Sequence, residues 1–141
     1  MPLESGDEIA ALLSDTKIVA LVGASANVAR DSHRIMAFLQ QQGYRVIPVN
    51  PGLAGQTLLG ETVVSALADI AEPVDLVDIF RNSAAAGPVV DEAIAVGAKA
   101  VWMQLSVVNP EAAARAEAAG LQVVMDHCPK IEIPRLGLLK R

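Results

Sequence analysis

Two kinds of apolar pattern alternate along this chain. The run "KIVALVG" (Lys17–Gly23) is β-branched and apolar without alternation, the mark of a strand buried on both faces, as in a parallel sheet. Four further strands are read at "YRVIPVN", stopped by Pro51, at "VDLVDIF" (Val74–Phe80), at "AKAVWMQL" and at "LQVVMD". Between them the apolar spacing is helical. "SHRIMAFLQQQG" turns Ile35, Phe38 and Leu39 to one side and ends at Gly43. "SAAAGPVVDEAIAVG" is a crossover helix whose start is weakened by Gly87 and Pro88, harmlessly if Pro88 falls in the first turn. "NPEAAARAEAAG" has Asn109 as N-cap, Pro110 at the first helical position and Gly120 after its end. Upstream, "IAALLSDT" places Ile9, Leu12 and Leu13 on one helical face. The connection from Gly52 to Val74 holds a short helix near Ser65–Ile70, and the tail "HCPKIEIPRLGLLKR" carries two prolines and little period.

Strand and helix in strict alternation predict an α/β fold. It is a Rossmann-like, doubly wound parallel sheet of about five strands with helices on both faces, joined by right-handed crossovers. With 141 residues and no linker or repeat, residues 1–141 form one domain. Hydrophobic residues make up 52% of the chain but aromatics only 3%, so the core is built from Val, Ile, Leu and Ala. No apolar run reaches the roughly 18 residues of a membrane helix. The acidic start "MPLESGDEIAALL" lacks the basic residues of a secretory signal, which predicts a cytoplasmic protein. The net charge of −5 argues against nucleic acid as a partner, while leaving room for a small anion at a locally positive site. The lone Cys128 excludes an internal disulfide, and two distant histidines show no metal-ligand spacing.

In such a sheet ligands bind beyond the carboxyl ends of the strands, at the switch in strand order. The loop after the first strand, "GASANVARDS", has the chemistry of a phosphate turn. Gly23 permits a tight turn, Ser25 brings a hydroxyl, Arg30 can pair with a phosphate, and Asp31 or Ser32 caps the next helix. The loop lacks Gly-x-Gly-x-x-Gly, and Asn50 stands where NAD sites usually carry an acid for the ribose, so NAD is disfavoured.

Taken in order, "VALVGAS" with "RDSHRIM", "GYRVIPVNP", "VDLVDIFRN", "EAIAVGAKAVWMQL" and "VVMDHCPKIEIPRLG" resemble the small stand-alone CoA-binding proteins of bacteria. These are similar to the N-terminal CoA-binding domain of the succinyl-CoA synthetase alpha subunit, and the resemblance covers nearly the whole chain. It implies CoA as the ligand, lying along the strand ends. Gly23, Ala24 and Ser25 would sit at the phosphates with Arg30 and Ser32 beside them, and Asn50 and Pro51 would line the nucleotide end. Phe80, Arg81 and Asn82 match the segment flanking the adenine, and Gln104, Leu105 and Ser106 the loop facing the pantetheine arm. Two positions depart from the pattern. Gly52 stands where many relatives carry a basic residue suited to the 3′-phosphate, for which Arg81 is a candidate substitute, and Ser106 stands where glycine is common.

The chain has no counterpart of the second domain that supplies the phosphorylated histidine of succinyl-CoA synthetase. His33 reads as a surface or crevice residue of a helix. In "DHCP", neighbours on an extended chain point to opposite faces, so His127 and Cys128 do not make a catalytic pair by adjacency, and Cys128 reads as a packed apolar thiol. Asp75 and Asp78 face opposite sides of one strand, Trp102 and Met103 are core, and Glu132 with Arg135 predicts a surface salt bridge. The expectation is a non-catalytic module holding CoA or an acyl-CoA, not an enzyme. The apolar helix "EAAARAEAAG" offers a packing face for a homo-oligomer. The competing reading is a thiol-dependent enzyme or redox sensor using Cys128 with a bound adenine nucleotide.

Overall fold

The computed structural model describes residues 1–140. Helix α1 (Gly6–Asp15) precedes strand β1 (Ile18–Val22), and α2 (Asp31–Gln41) leads to β2 (Arg45–Val49). A short antiparallel hairpin, β3 (Thr57–Leu58) and β4 (Glu61–Thr62), follows, then β5 (Leu76–Ile79) and α3 (Ser83–Ala95). The chain ends with β6 (Ala100–Met103), α4 (Pro110–Ala118), β7 (Gln122–Val124) and α5 (Pro129–Arg135). The main sheet has five parallel strands in the order β2-β1-β5-β6-β7. From β1 the chain winds outward to β2, then crosses back to β5 and winds the other way. The reversal puts the topological switch between β1 and β5, where such sheets open a crevice at their carboxyl edge.

Side-chain alternation along the strands divides the core in two. Ala20, Val22, Val77, Ile79, Val101 and Met103 face α3 and α4, whose buried residues are mostly Ala and Val. Val19, Leu21, Leu76, Trp102 and Val124 face α1, α2 and α5. Both faces are covered, as the unbroken apolar runs of the strands require. Asp75 stands just before β5, at the far end of the sheet from the crevice, and accepts the backbone N–H groups of Lys17 and Ile18 at 3.0 and 2.9 Å. Burial opposes its ionisation, but those bonds and the Lys99 ammonium 3.3 Å away outweigh it and hold the carboxyl below its ordinary range.

Four local expectations are corrected. The helix expected near Ser65–Ile70 is a single 3-10 turn, Leu67–Asp69, and the same connection also forms the β3–β4 hairpin against the edge strand β2. Val64 pairs with that edge, its N–H donating to the Pro48 carbonyl. Pro88 falls in the second turn of α3, not the first, because Asn82 caps the helix by accepting the Ala85 N–H at 2.8 Å. The tail is helical at α5: Pro129 takes the first position, and Ile133 and Pro129 are buried. Seven residues with a second proline inside show little period, and the helix holds because its apolar side is covered by α2. Glu132 is not a surface partner of Arg135, for its side chain is buried while Arg135 reaches it from solvent.

Candidate functional site

Gly23 leaves β1 with φ +94°, and a Cβ there would lie 2.4 Å from the Phe80 carbonyl oxygen. Only glycine lets the loop after β1 pass so close to the end of β5. The N–H groups of Gly23 and Ala24 point back to the Val49 carbonyl, so these residues bring the chain near a ligand without donating to it. Beyond them the loop is stiffened by its own turns. Ser25 Oγ accepts the Asn27 N–H at 3.0 Å, and Asn27 Oδ1 accepts the Ala29 N–H at 2.9 Å. The Ser25 hydroxyl hydrogen remains available to a ligand.

The helix cap differs from expectation. Neither Asp31 nor Ser32 caps α2; the N-cap is Arg30, whose side chain makes no capping bond. Asp31 lies inside the first turn and pairs with Arg34 at 2.8 Å, and Ser32 is buried. The first N–H groups of α2 therefore have no side-chain acceptor, and the helix dipole adds partial positive charge where they emerge. Among the described residues, neither Arg30 nor Arg81 is ion-paired. The surroundings of the loop are thus locally cationic on an acidic protein.

Asn50, after β2, uses both ends of its amide on the protein. Its Nδ2 donates to the Ala24 carbonyl at 2.7 Å, and its Oδ1 accepts the Gly52 N–H at 2.8 Å. An aspartate could not make the first bond, which explains why the acid of NAD sites is absent here. Asn50 ties the two loops together and lines the crevice.

Three cavities run along the carboxyl edge. The first, about 790 Å³, is lined by residues of the β1 loop including Ser25, Arg30 and Ser32, and by Gly52, Phe80 and Arg81. It shares Asp31 and Phe80 with a second, about 490 Å³, bounded by Ile35, Gln104, Leu105, Cys128 and Ile131. It shares Gly23, Asn50 and Arg81 with a third, about 490 Å³, on the α3 side, where Pro51, Ser65 and Glu92 stand. The shared walls make one elongated crevice with a polar, cationic middle and a more apolar cavity on either side of it. A model of the CoA-binding domain family matches residues 17–134, which include every loop of this crevice.

The chain belongs to the CoA-binding domain family. In this CoA-binding domain, similarity to other proteins extends over nearly the full length. Uncharacterized protein YneT of Bacillus subtilis (strain 168) is 37% identical over 124 residues, covering 88% of this chain and 90% of that one. A solved structure from Thermus thermophilus superposes with a TM-score of 0.90 at 38% identity, over 94% of this chain and 99% of the other. A hypothetical protein from Pyrococcus horikoshii OT3 gives 0.89 at 36% identity, over 96% of each chain.

The CoA-binding domain brings most of the sequence-predicted site residues to the crevice, but not all. Gly23, Ala24, Ser25, Arg30, Ser32, Asn50, Phe80 and Arg81 line the first cavity, Pro51 the third, and Gln104 and Leu105 the second. Asn82 is occupied in capping α3. Ser106 lines none of the three cavities; it sits at φ +69°, its N–H donating to Asp126 Oδ1 at 2.7 Å. The left-handed backbone there is the physical reason a glycine suits that position. His33 and His127 line none of the cavities, and the His127 ring bonds the Met125 carbonyl at 2.8 Å, away from Cys128. Burial pushes the Cys128 thiol up, disfavouring the thiolate a nucleophile needs. Among the described residues no cluster of His, Cys, Asp and Glu is arranged to hold a metal, and no helix is long and apolar enough to cross a membrane.

Sequence reasoning set Asp78 opposite Asp75 on one strand, with one of the two at the crevice edge, but did not find its burial behind Gln104. It is fully buried between Leu21 and Trp102 in the sheet, and its Oδ1 lies 2.6 Å from the Gln104 amide. Its other oxygen has no partner among the described residues, and burial raises the carboxyl to about 7 despite the Gln104 bond. An acid at the centre of an apolar strand was the available signal, since a buried charge is costly and is rarely kept without a use.

Proposed function

We propose that this protein is a binding module for CoA or an acyl-CoA and is not itself a catalyst. The observation that carries the reading is the continuity of the crevice: a phosphate-suited middle opens into a more apolar end. A plain nucleotide would leave that end unused, whereas CoA couples phosphates to a long arm of methyl, methylene and amide groups. The first cavity takes the diphosphate at Ser25, Arg30 and the N-terminus of α2. Arg81 borders both the first and third cavities, shares the first with Gly52, and takes the 3′-phosphate in place of the missing basic residue. The arm runs past Phe80 toward Gln104 and Leu105. Cys128 is a wall of that end, so the thiol-dependent reading predicts a loss that this one does not: Cys128→Ala keeps its affinity for CoA.

Calorimetric titration with CoA and 3′-dephospho-CoA tests the proposal. CoA is expected to bind at least about tenfold more tightly, the difference shrinking in Arg81→Ala as a charge-assisted bond is lost. Gly52→Lys is expected to restore the preference in that background. Equal affinity for the two ligands would refute the role of Arg81, and no binding of either would refute the CoA reading itself.

A further inference from the structure

The second cavity differs in kind from the first. Ile35, Phe80, Leu105, Val107 and Ile131 make its walls largely apolar, and Leu105 and Ile131 are 52% and 50% exposed. Gln104 is the buried polar side chain among them, and behind it lies Asp78. A buried ionised carboxylate with one oxygen unpartnered among the described residues is a costly arrangement, which a proton relieves. Gln104 Nε2 donates to Asp78 Oδ1 at 2.6 Å, a separation short for N–H···O and ordinary for the O–H···O bond that forms when the amide is turned over. An amide accommodates either by a half-turn that exchanges its oxygen and nitrogen. When Asp78 carries a proton, its O–H donates to the Gln104 oxygen and the Gln104 NH2 turns to the cavity. When the proton leaves, the NH2 donates to Asp78 and the amide oxygen faces the cavity. One buried proton therefore decides whether the cavity offers a donor or an acceptor.

We propose that this cavity holds the acyl end of an acyl-CoA thioester, with Gln104, turned by a protonated Asp78, donating an N–H to the thioester carbonyl. The inference rests on the CoA reading above and adds to it the class of ligand. A short acyl chain covers Leu105 and Ile131, which a bare thiol leaves wet. Gln104 is then the residue that distinguishes a thioester from other CoA derivatives, and Asp78 is a positioning residue. The other charged and titratable groups around the cavity are the Asp31–Arg34 pair, Lys130 and the Cys128 thiol, with His33 on α2 and His127 beside Cys128. Asp78→Asn separates the acid from all of these, because an asparagine N–H donates to the Gln104 oxygen as the protonated acid does.

The test is calorimetric titration of the whole chain with CoA, butyryl-CoA and S-butyl-CoA, at about pH 6 and about pH 8.5, either side of the Asp78 transition. S-butyl-CoA is a thioether with the same phosphates and chain length but no carbonyl. At the lower pH butyryl-CoA is expected to bind about five- to tenfold more tightly than the thioether, the worth of one hydrogen bond, and at the higher pH about equally. Asp78→Asn keeps the preference at both pH values. Gln104→Leu loses it at both. The wild-type comparison alone is decisive if either variant fails to fold. Equal affinity for thioester and thioether at both pH values, or a preference that grows with pH, overturns this inference and leaves the CoA reading standing. Failure of CoA itself to bind overturns the CoA reading.

Discussion

Gly23 shows how much one residue carries at this site. Its positive φ and the 2.4 Å approach of any Cβ to the Phe80 carbonyl act together, and neither is relieved by rotating a side chain, because the obstacle is backbone. Gly23→Ala is therefore expected to cost about 2–4 kcal/mol of stability, more than a left-handed residue alone, since the β1 and β5 ends must separate. Urea unfolding checks the size, and titration with CoA checks whether the loop still binds. A loss under about 1 kcal/mol would show that the loop relaxes freely. This residue was legible in the sequence as a turn after a strand. The Phe80 contact was not, because β1 and β5 are 53 residues apart between Gly23 and the start of β5 at Leu76. Asn50 follows the same division. Its place after the second strand was plain, and its bond from the Gly52 N–H is local, but its bond to the Ala24 carbonyl joins loops that only the fold brings together.

Among the elements, α5 bears most directly on the site. Its N-cap is Cys128, and Lys130 and Ile131 in its first turn line the second cavity. The helix is seven residues long with a proline inside, too short to be stable alone, so its position depends on what it buries. Ile133 is 1% exposed within the core shared with α1 and α2. Ile133→Ala is expected to destabilise the protein by about 2–4 kcal/mol, from the lost burial and the cavity left behind. Hydrogen exchange should show α5 protected less than the sheet. Full protection of α5 in the variant would mean that the helix is held by other contacts. The central helices were readable because nine or more residues repeat an apolar stripe. The hairpin β3–β4 and α5 were not, because each is shaped by the surface it lies on.

For the whole molecule, pH acts on stability through Asp78. Its carboxyl is raised to about 7 in the fold from an ordinary 3.8, by burial. Between those values the native state keeps a proton that the unfolded chain has released, so stability falls as pH rises through this window and levels off above it. The full effect is at most about 4 kcal/mol. Asp78→Asn is expected to remove this slope and to be the more stable protein at about pH 8, as read from urea midpoints across pH. Asp75, held low, acts in the opposite sense at more acidic pH, so the comparison of the two proteins isolates Asp78. A wild-type curve parallel to that of Asp78→Asn would show that Asp78 is ionised throughout. Here the two levels of description part. The alternation of strand and helix, the doubly wound parallel class and the phosphate-suited loop after β1 are written in the order of residues, because hydrophobic period and turn chemistry are local properties. The closing of Phe80 on Gly23, the bridge of Asn50 between two loops and the place of Asp78 behind Gln104 exist only once the chain has folded. Those contacts depend on the strand order β2-β1-β5-β6-β7, which sets together residues that no local pattern relates.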